Sequence, residues 1–197
     1  MKKYELTEET VTVYGKTLYR IRAVRDFGSV KTGEFGGYIE KEENLSHFGN
    51  AWVFGNAWVF DNARVYDDTW VYGNARVYDN AWVFGNAWVF GNAKVYDDAW
   101  VCGDAKVYGD AWVSGNAEVF NTRHFFVQGP IGSRNGFITF YRTKDNTVEV
   151  RCGCFSGSLQ KFVDRVEETH GGSRYEKEYK LAAELAKVCI RLEGESR

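Results

Sequence analysis

Four cysteines and three histidines are the residues of this chain best suited to metal chemistry. Cys152 and Cys154 are separated by a single residue in a segment of alternating polarity, so we expect both on the same side of a strand. With His170 and Cys189 they could supply four zinc ligands, but paired zinc cysteines usually have two to four residues between them. We therefore expect small buried thiols, no metal and no cofactor.

A glycine-rich segment, GPIGSRNG at residues 129–136, is the second candidate for chemistry. Backbone N–H groups in such a loop can hold an anion, and Ser133, Arg134 and Asn135 would then be the ligand-binding side chains. The segment matches neither the Walker nor the dinucleotide-binding pattern, and it does not lead into a helix. A long hairpin connection is the favoured interpretation, with an anion or ligand loop as the alternative.

The central third of the chain is a repeat of twelve hexads, from Phe48 to Val119, of the form aromatic, Gly/Asp, Asn/Asp, Ala, variable, Val. Val ends every hexad, and Thr69 is the single replacement of Ala. Alternation within each hexad predicts a short strand with Ala and Val on one face and the variable and aromatic residues on the other. The Gly/Asp–Asn/Asp pair suits a corner, because these residues tolerate positive φ.

This hexad pattern resembles the hexapeptide-repeat proteins. The resemblance implies a mainly β fold, a left-handed parallel β-helix of about four to five triangular coils with three hexads each. The opening stretch, KYELTEE followed by IRAVRDFGSVKTGEFGGYIEKEENLS, is similar to the start of uncharacterised bacterial proteins of that class, once labelled transferases. The resemblance covers about residues 1–120.

Coils of three hexads would stack the twelve hexads into four coils, ~19 Å tall at the usual strand spacing. Residues one coil apart then form columns on three outer faces, and all seven tryptophans are predicted to point outward. The first face consists of Trp52, Phe54, Trp70, Tyr72, Trp88, Phe90, Lys106 and Tyr108. The second face consists of Trp58, Phe60, Arg76, Tyr78, Lys94, Tyr96, Trp112 and Ser114. The third face consists of Arg64, Tyr66, Trp82, Phe84, Trp100, Cys102, Glu118 and Phe120.

The flanking segments divide the chain into three parts. Residues 1–41 are predicted to form a cap with a β-hairpin that turns at Gly15–Lys16. Residues 42–121 are the β-helix, with ENLSHF as a degenerate first rung in which His47 takes the Val position. Such caps are needed because the ends of a solenoid leave strand edges open.

The pattern of residues 122–197 predicts a small α+β domain with three strands (HFFVQ, GFITFYR and TVEVRCGCF) and two helices. The first helix follows SLQKFVDRVEETHGG, and the second opens with a capping box at Ser173–Glu176 and continues through Leu192. A buried stripe is predicted on the second helix: Tyr175, Tyr179, Ala182, Leu185, Ala186 and Cys189.

The C-terminal sequences GPIGSRNG, CGCF and THGG…Y…EY resemble an uncharacterised module of phage and prophage proteins. This resemblance covers residues 123–192 and implies a phage or prophage origin. Compact phage proteins without a catalytic motif often inhibit host factors by binding them, so a host-defence protein is the partner that the resemblance implies.

The charge of the chain argues against nucleic acid as a partner. The formal net charge is −2, and the corners after the second face carry Asp61, Asp79, Asp97 and Asp98, which would repel a phosphate backbone. The sequence therefore argues against nucleic acid as a partner. The corner aspartates themselves are expected to serve turn chemistry rather than to bind calcium.

The expected location follows from the absence of apolar segments. No apolar run approaches the ~18 residues that a membrane-spanning helix requires, so we expect no membrane partner. No signal peptide precedes the cysteines, so we expect free thiols and a reducing, cytoplasmic location, in the host cell if the protein is viral.

The first face is the predicted binding surface, since contiguous aromatic patches usually mark interfaces. We expect a non-enzymatic protein that forms a homo-oligomer, a dimer or trimer, and sequesters or inhibits a partner protein. One alternative is capture of a nucleotide or signal molecule. The other is acyl transfer, for which hexapeptide-repeat enzymes use a His base; the twelve hexads contain no His.

Overall fold

The computed structural model describes residues 2–193; Met1 and residues 194–197, at the outer ends of the predicted cap and C-terminal domain, lie outside the described part. Three strands and a short 3-10 helix, Glu42–Asn44, open the chain; twelve two-residue strands form its middle, and four strands with two α-helices close it. In chain order the elements are β1 Tyr4–Val13, β2 Lys16–Ala23, β3 Phe35–Ile39, β4 Trp52–Val53, β5 Trp58–Val59, β6 Arg64–Val65, β7 Trp70–Val71, β8 Arg76–Val77, β9 Trp82–Val83, β10 Trp88–Val89, β11 Lys94–Val95, β12 Trp100–Val101, β13 Lys106–Val107, β14 Trp112–Val113, β15 Glu118–Val119, β16 Phe125–Ile131, β17 Gly136–Arg142, β18 Val148–Cys152, β19 Phe155–Ser158, α1 Leu159–His170 and α2 Arg174–Cys189.

The middle of the chain is a parallel β-solenoid, as the hexads predict. Strands three hexads apart pair in parallel, so that Trp70 lies against Trp88 and Val71 against Val89. Three sheets result, ordered β4–β7–β10–β13, β5–β8–β11–β14 and β6–β9–β12–β15. The hexad Ala and Val side chains are 0–1% exposed and fill the axis of the coil. The structure thus places the variable and aromatic residues in the predicted columns.

Corner geometry explains the Gly/Asp preference of the hexads. The first corner residue has positive φ throughout, for example 74° at Gly73 and 56° at Asp79, a region that glycine enters freely and Asp tolerates. The second corner residue forms amide ladders along the axis: Asn62 Nδ2 donates to Asn80 Oδ1, and Asn80 Nδ2 donates to Asp98 Oδ1, both at 3.1 Å. The acidic corners therefore serve turn chemistry.

One irregular turn precedes the four regular coils, which gives about five turns. Tyr38 of β3 pairs with Trp58, and Leu45 forms a bridge to Val65. Partners in this turn are two positions further apart in sequence than partners in the regular coils, because two additional residues lie between Leu45 and the next rung. Leu45 therefore takes the Val position of the first rung, and the assignment of His47 to it was wrong.

The N-terminal segment covers the open end of the solenoid. Its hairpin turns at Tyr14–Gly15, where both residues have positive φ, one residue earlier than predicted. Through β3 the hairpin joins the sheet of the second face, in the order β1–β2–β3–β5. Tyr4, Ile21 and Phe27 belong to the same apolar core as the hexad Ala and Val side chains, so the first open edge is paired and covered.

The C-terminal segment covers the other end. It forms a four-stranded antiparallel sheet, β16–β17–β18–β19, instead of the predicted three strands, because CGCF turns at Gly153–Cys154 and starts β19. Phe125 and Tyr141 join the solenoid core. Arg142 is 2% exposed and forms ion pairs with Glu118 and Glu193, at 3.4 and 2.7 Å.

The two helices pack against this sheet and form a second apolar core with it. Helix α2 ends at Cys189, three residues before the predicted end. Its buried residues include Tyr179, Ala182 and Ala186, as predicted, but Leu185 is 47% exposed. Ala183 takes the buried place instead, since the helix turns a slightly different face to the sheet.

Thr69 takes the place of an Ala at the axis of the coil. Its Oγ1 is buried and has no hydrogen-bond partner among the described residues, which costs free energy. We expect Thr69→Val, which keeps the shape and removes the hydroxyl, to raise the free energy of unfolding by about 1–2 kcal/mol. Thr69→Ser, which keeps the hydroxyl, should give no gain. Urea unfolding of the three proteins measures this; a Thr69→Val protein less stable than the wild type would contradict it.

Lys3, in the N-terminal cap, makes the stability of the fold depend on pH. Its Nζ donates to the Ala51 carbonyl at 2.7 Å, and burial, with the charge of Arg25, lowers the pKa of Lys3 from 10.5 to about 8. Between these values the unfolded chain holds a proton that the folded chain releases, so the Lys3 contribution to stability rises with pH through this window.

We expect the free energy of unfolding of the wild type, relative to Lys3→Met, to increase between pH 7 and about pH 9.5. Urea unfolding at the two pH values measures the difference, and tyrosines that titrate nearby cancel between the two proteins. Identical pH profiles would contradict a buried, titrating Lys3.

Candidate binding surface

The first face is a pair of adjacent columns of aromatic rings. Trp70 and Trp88 are stacked with ring centroids 5.3 Å apart and planes within 7°. In the neighbouring column Tyr72 stacks on Phe90 at 4.8 Å, and Phe90 stacks on Tyr108 at 5.7 Å. The columns are regular because each ring repeats at the rung spacing of the strands.

Each ring on this face covers part of the next, so the face is less exposed than the sequence alone indicates. Trp70, Tyr72, Trp88 and Phe90 are half-buried, and burial raises the pKa of Tyr72. Tyr108, at 46%, is the most exposed ring of the face. The stacked pairs stabilise the solenoid by ~0.5–1.5 kcal/mol each, in addition to any role in binding.

Trp52 corrects the prediction that all seven tryptophans are displayed. It points away from the axis but is 0% exposed, because the N-terminal cap lies over it. Tyr4 and Phe27 approach its ring edge-on, with centroids 6.1 and 5.2 Å away. A Cβ at Gly36 would lie 2.8 Å from the indole. Trp52 therefore anchors the cap and is not part of an exposed surface.

Lys106 ends the Trp70–Trp88 stack. Its side chain is exposed, and Nζ lies 4.6 Å from the centroid of the Trp88 ring, a cation–π distance. It is the only charged residue among the eight of the first face, and the corners that follow Phe54, Tyr72 and Phe90 are Gly–Asn pairs. The displayed part of the first face is therefore aromatic and nearly uncharged.

The other two faces carry more charge. On the third face Trp82 and Trp100 are stacked at 5.5 Å, with Arg64 over Trp82 at 5.6 Å and Glu118 at the far end of the column. On the second face a Trp–Arg–Lys–Trp column places two cations between indoles. These charges make the second and third faces costlier to bury against an apolar partner.

The Gly129–Gly136 segment is a tight hairpin rather than a long connection, since β16 extends to Ile131 and β17 begins at Gly136. Ser133, Arg134 and Asn135 are exposed at its tip. The Gly132 N–H donates to the Glu178 carboxylate at 2.7 Å. The backbone N–H of Gly132 is therefore already bound by a carboxylate of the same chain, that of Glu178 in α2.

The cysteines do not share a site. Cys154 is exposed in the turn between β18 and β19, not on a strand beside Cys152. The expectation of buried thiols therefore fails for Cys154 and is only partly met by Cys152, which is half-buried. Cys102 is buried, which raises the pKa of its thiol to about 11. Within residues 2–193, no three His, Cys, Asp or Glu side chains are grouped to hold a metal ion.

The three histidines make structural contacts at the ends of the solenoid and on α1. His47 stacks on Tyr4 at 4.2 Å, His124 accepts from the Phe120 N–H at 3.3 Å, and His170 lies beside Tyr179, with ring centroids 5.6 Å apart. Burial lowers the pKa of both His47 and His124.

The fold and its columns define the class of this protein, a parallel β-solenoid with a covered apolar axis and aromatic outer faces. A family model described as the YdcK beta solenoid repeat matches residues 57–73, 71–85 and 75–90, all within the hexads. No curated protein matches the chain. Neither helix in the described part of the chain has the length and apolar character needed to cross a bilayer.

Trp52 and Trp88 have the same residue type in the same column but different surroundings, which predicts different costs of truncation. Trp52→Ala removes a fully buried ring and should lower the free energy of unfolding by about 3–5 kcal/mol. Trp88→Ala removes a half-buried ring and should cost clearly less. Denaturant unfolding of both variants measures the difference; equal costs would contradict the covering of Trp52 by the cap.

Proposed function

We propose that this protein is a non-enzymatic binding protein that uses its first face to form a homo-oligomer, a dimer or trimer, and to hold a partner protein. The observation that carries the proposal is the stacked, half-exposed pair Trp70 and Trp88 beside Tyr72, Phe90 and Tyr108. Aromatic side chains dominate the energetics of interfaces, since a large ring is buried with little loss of side-chain entropy.

Charge favours the first face over the other two. Burying a charge without a partner is costly, and the displayed first face has one charged residue, Lys106, at its edge. The third face has Arg64 and Glu118 at the two ends of its tryptophan column, and the second has Arg76 and Lys94 at its centre. A self-association surface therefore has the lowest desolvation cost on the first face.

The identity of the partner rests on resemblance. The hexads resemble hexapeptide-repeat β-helices, and residues 123–192 resemble a module of phage and prophage proteins. We therefore propose that the protein is phage or prophage encoded, acts in the host cytoplasm and inhibits a host-defence protein by sequestering it. The engaged positions of His47 and His124 support binding over acyl transfer.

A double substitution on the first face tests the proposal. Wild-type protein should have the mass of two or three chains in size-exclusion chromatography with light scattering, and Trp70→Ser/Trp88→Ser should have the mass of one chain. The matched control is Trp82→Ser/Trp100→Ser, which removes an equivalent stack from the third face and should leave the mass unchanged. Circular dichroism verifies that both variants keep the fold.

A wild-type protein that runs as a single chain overturns the oligomer. The partner is tested by capture from host lysate with the same three proteins, where a captured protein must be lost with the first-face variant and kept with the third-face variant. Binding that survives the first-face substitutions would show that this surface is not the interface.

A further inference from the structure

Two cations occupy neighbouring rungs at the centre of the second face. Strand β8 pairs with β11 so that Lys94 lies directly against Arg76, and such neighbours are ~4.8 Å apart along the axis. Like charges in directly paired positions destabilise a sheet. No other strand column of the solenoid pairs two like charges, so this arrangement requires a compensating interaction.

Aromatic rings compensate for part of this repulsion. Arg76 Cζ lies 4.3 Å from the centroid of the Trp58 ring, and Lys94 Nζ lies 4.2 Å from that of Trp112. Both cations are half-buried. Within the described residues 2–193, neither side chain forms an ion pair with a carboxylate or donates a hydrogen bond. Burial, followed by the charge of Arg76, lowers the pKa of Lys94.

The C-terminal sheet brings a third cation to the second face, beside Trp112. Arg151 of β18 donates from Nε to the Tyr96 hydroxyl at 2.7 Å, and its Cζ lies 5.9 Å from the centroid of the Trp112 ring. No carboxylate among the residues that the structure describes forms an ion pair with Arg151. Trp112 is therefore contacted by Lys94 from its own sheet and by Arg151 from the C-terminal sheet.

Among the described residues 2–193, no carboxylate at the corners that follow the second face forms an ion pair with these three cations; the carboxylates keep their charge but contact other groups. Asp97 accepts from the Gly115 N–H at 3.1 Å and Asp79 from the Asp97 N–H at 3.4 Å. Asp61, one coil earlier, forms an ion pair with Lys16. The corner aspartates are thus held by the next coil or by the N-terminal hairpin.

We propose that Arg76, Lys94 and Arg151 form a binding site on the second face for a small anion with two or more phosphate groups. Three fixed cations match the charge of a diphosphate better than that of one phosphate, which carries about −1.5 to −2. The guanidinium groups offer forked N–H donors that suit phosphate oxygens, and half-burial strengthens the attraction relative to water. This site is separate from the first face and from the 129–136 turn.

Isothermal titration calorimetry with pyrophosphate and with ATP tests the site. We expect wild-type protein to bind at least one of them, with an affinity that falls as NaCl is raised, and Arg76→Gln/Lys94→Gln to weaken binding at least tenfold. If ATP binds more tightly than pyrophosphate and adenosine gives no heat of binding, the source of the phosphates is a nucleotide. Equal or weaker affinity for ATP would identify the phosphate groups alone.

The matched control is Arg64→Gln/Lys106→Gln, which removes the equivalent cation–π side chains from the third and first faces and should leave the affinity unchanged. Arg151→Gln, which alters only the C-terminal contribution, gives a second variant if the double substitution prevents folding. The proposal is overturned if neither anion binds, if binding survives the second-face substitutions, or if the control weakens binding equally.

Discussion

The narrow axis of the coil is the constraint on which this structure depends. Three short strands meet around it, and the side chains that fill it are the hexad Ala and Val, which are 0–1% exposed. This lack of space directs the larger hexad side chains outward. The aromatic columns are therefore a consequence of a packed axis of small residues, and so is their spacing, which follows the distance between paired strands.

Outside the axis, the columns follow a second rule: rings stack on rings, and cations end or interrupt the stacks. Lys106 ends the Trp70–Trp88 stack, and Arg64 ends the Trp82–Trp100 stack. Both arrangements place a positive charge over the negative face of an indole. The same rule applies to the second face, where Arg76 and Lys94 lie next to each other between two indoles. Their mutual repulsion is not offset by an ion pair with a carboxylate of the described residues.

The two terminal modules decide which parts of the three faces are displayed. The N-terminal cap buries Trp52 and joins the sheet of the second face through β3. The C-terminal sheet contacts the last coil through Tyr141 and brings Arg151 to the second face. What remains displayed on the first face is the middle of its ring columns, ending at Tyr108. The surface that this scaffold displays is therefore set by the modules that close it as well as by the repeat.

The sequence by itself determined the short strand and the corner of each hexad, because each hexad repeats the same local preferences. The resemblance to hexapeptide-repeat proteins supplied the coil of three hexads, and with it the membership of every column. The two adjacent cations of the second face follow from the same repeat. Tertiary structure alone decided the register of Leu45, the covering of Trp52, the exposure of Leu185 and the arrival of Arg151 at Trp112. Each of these depends on segments without a repeat that pack against residues far away in the chain, and no local pattern encodes which distant side chains will meet.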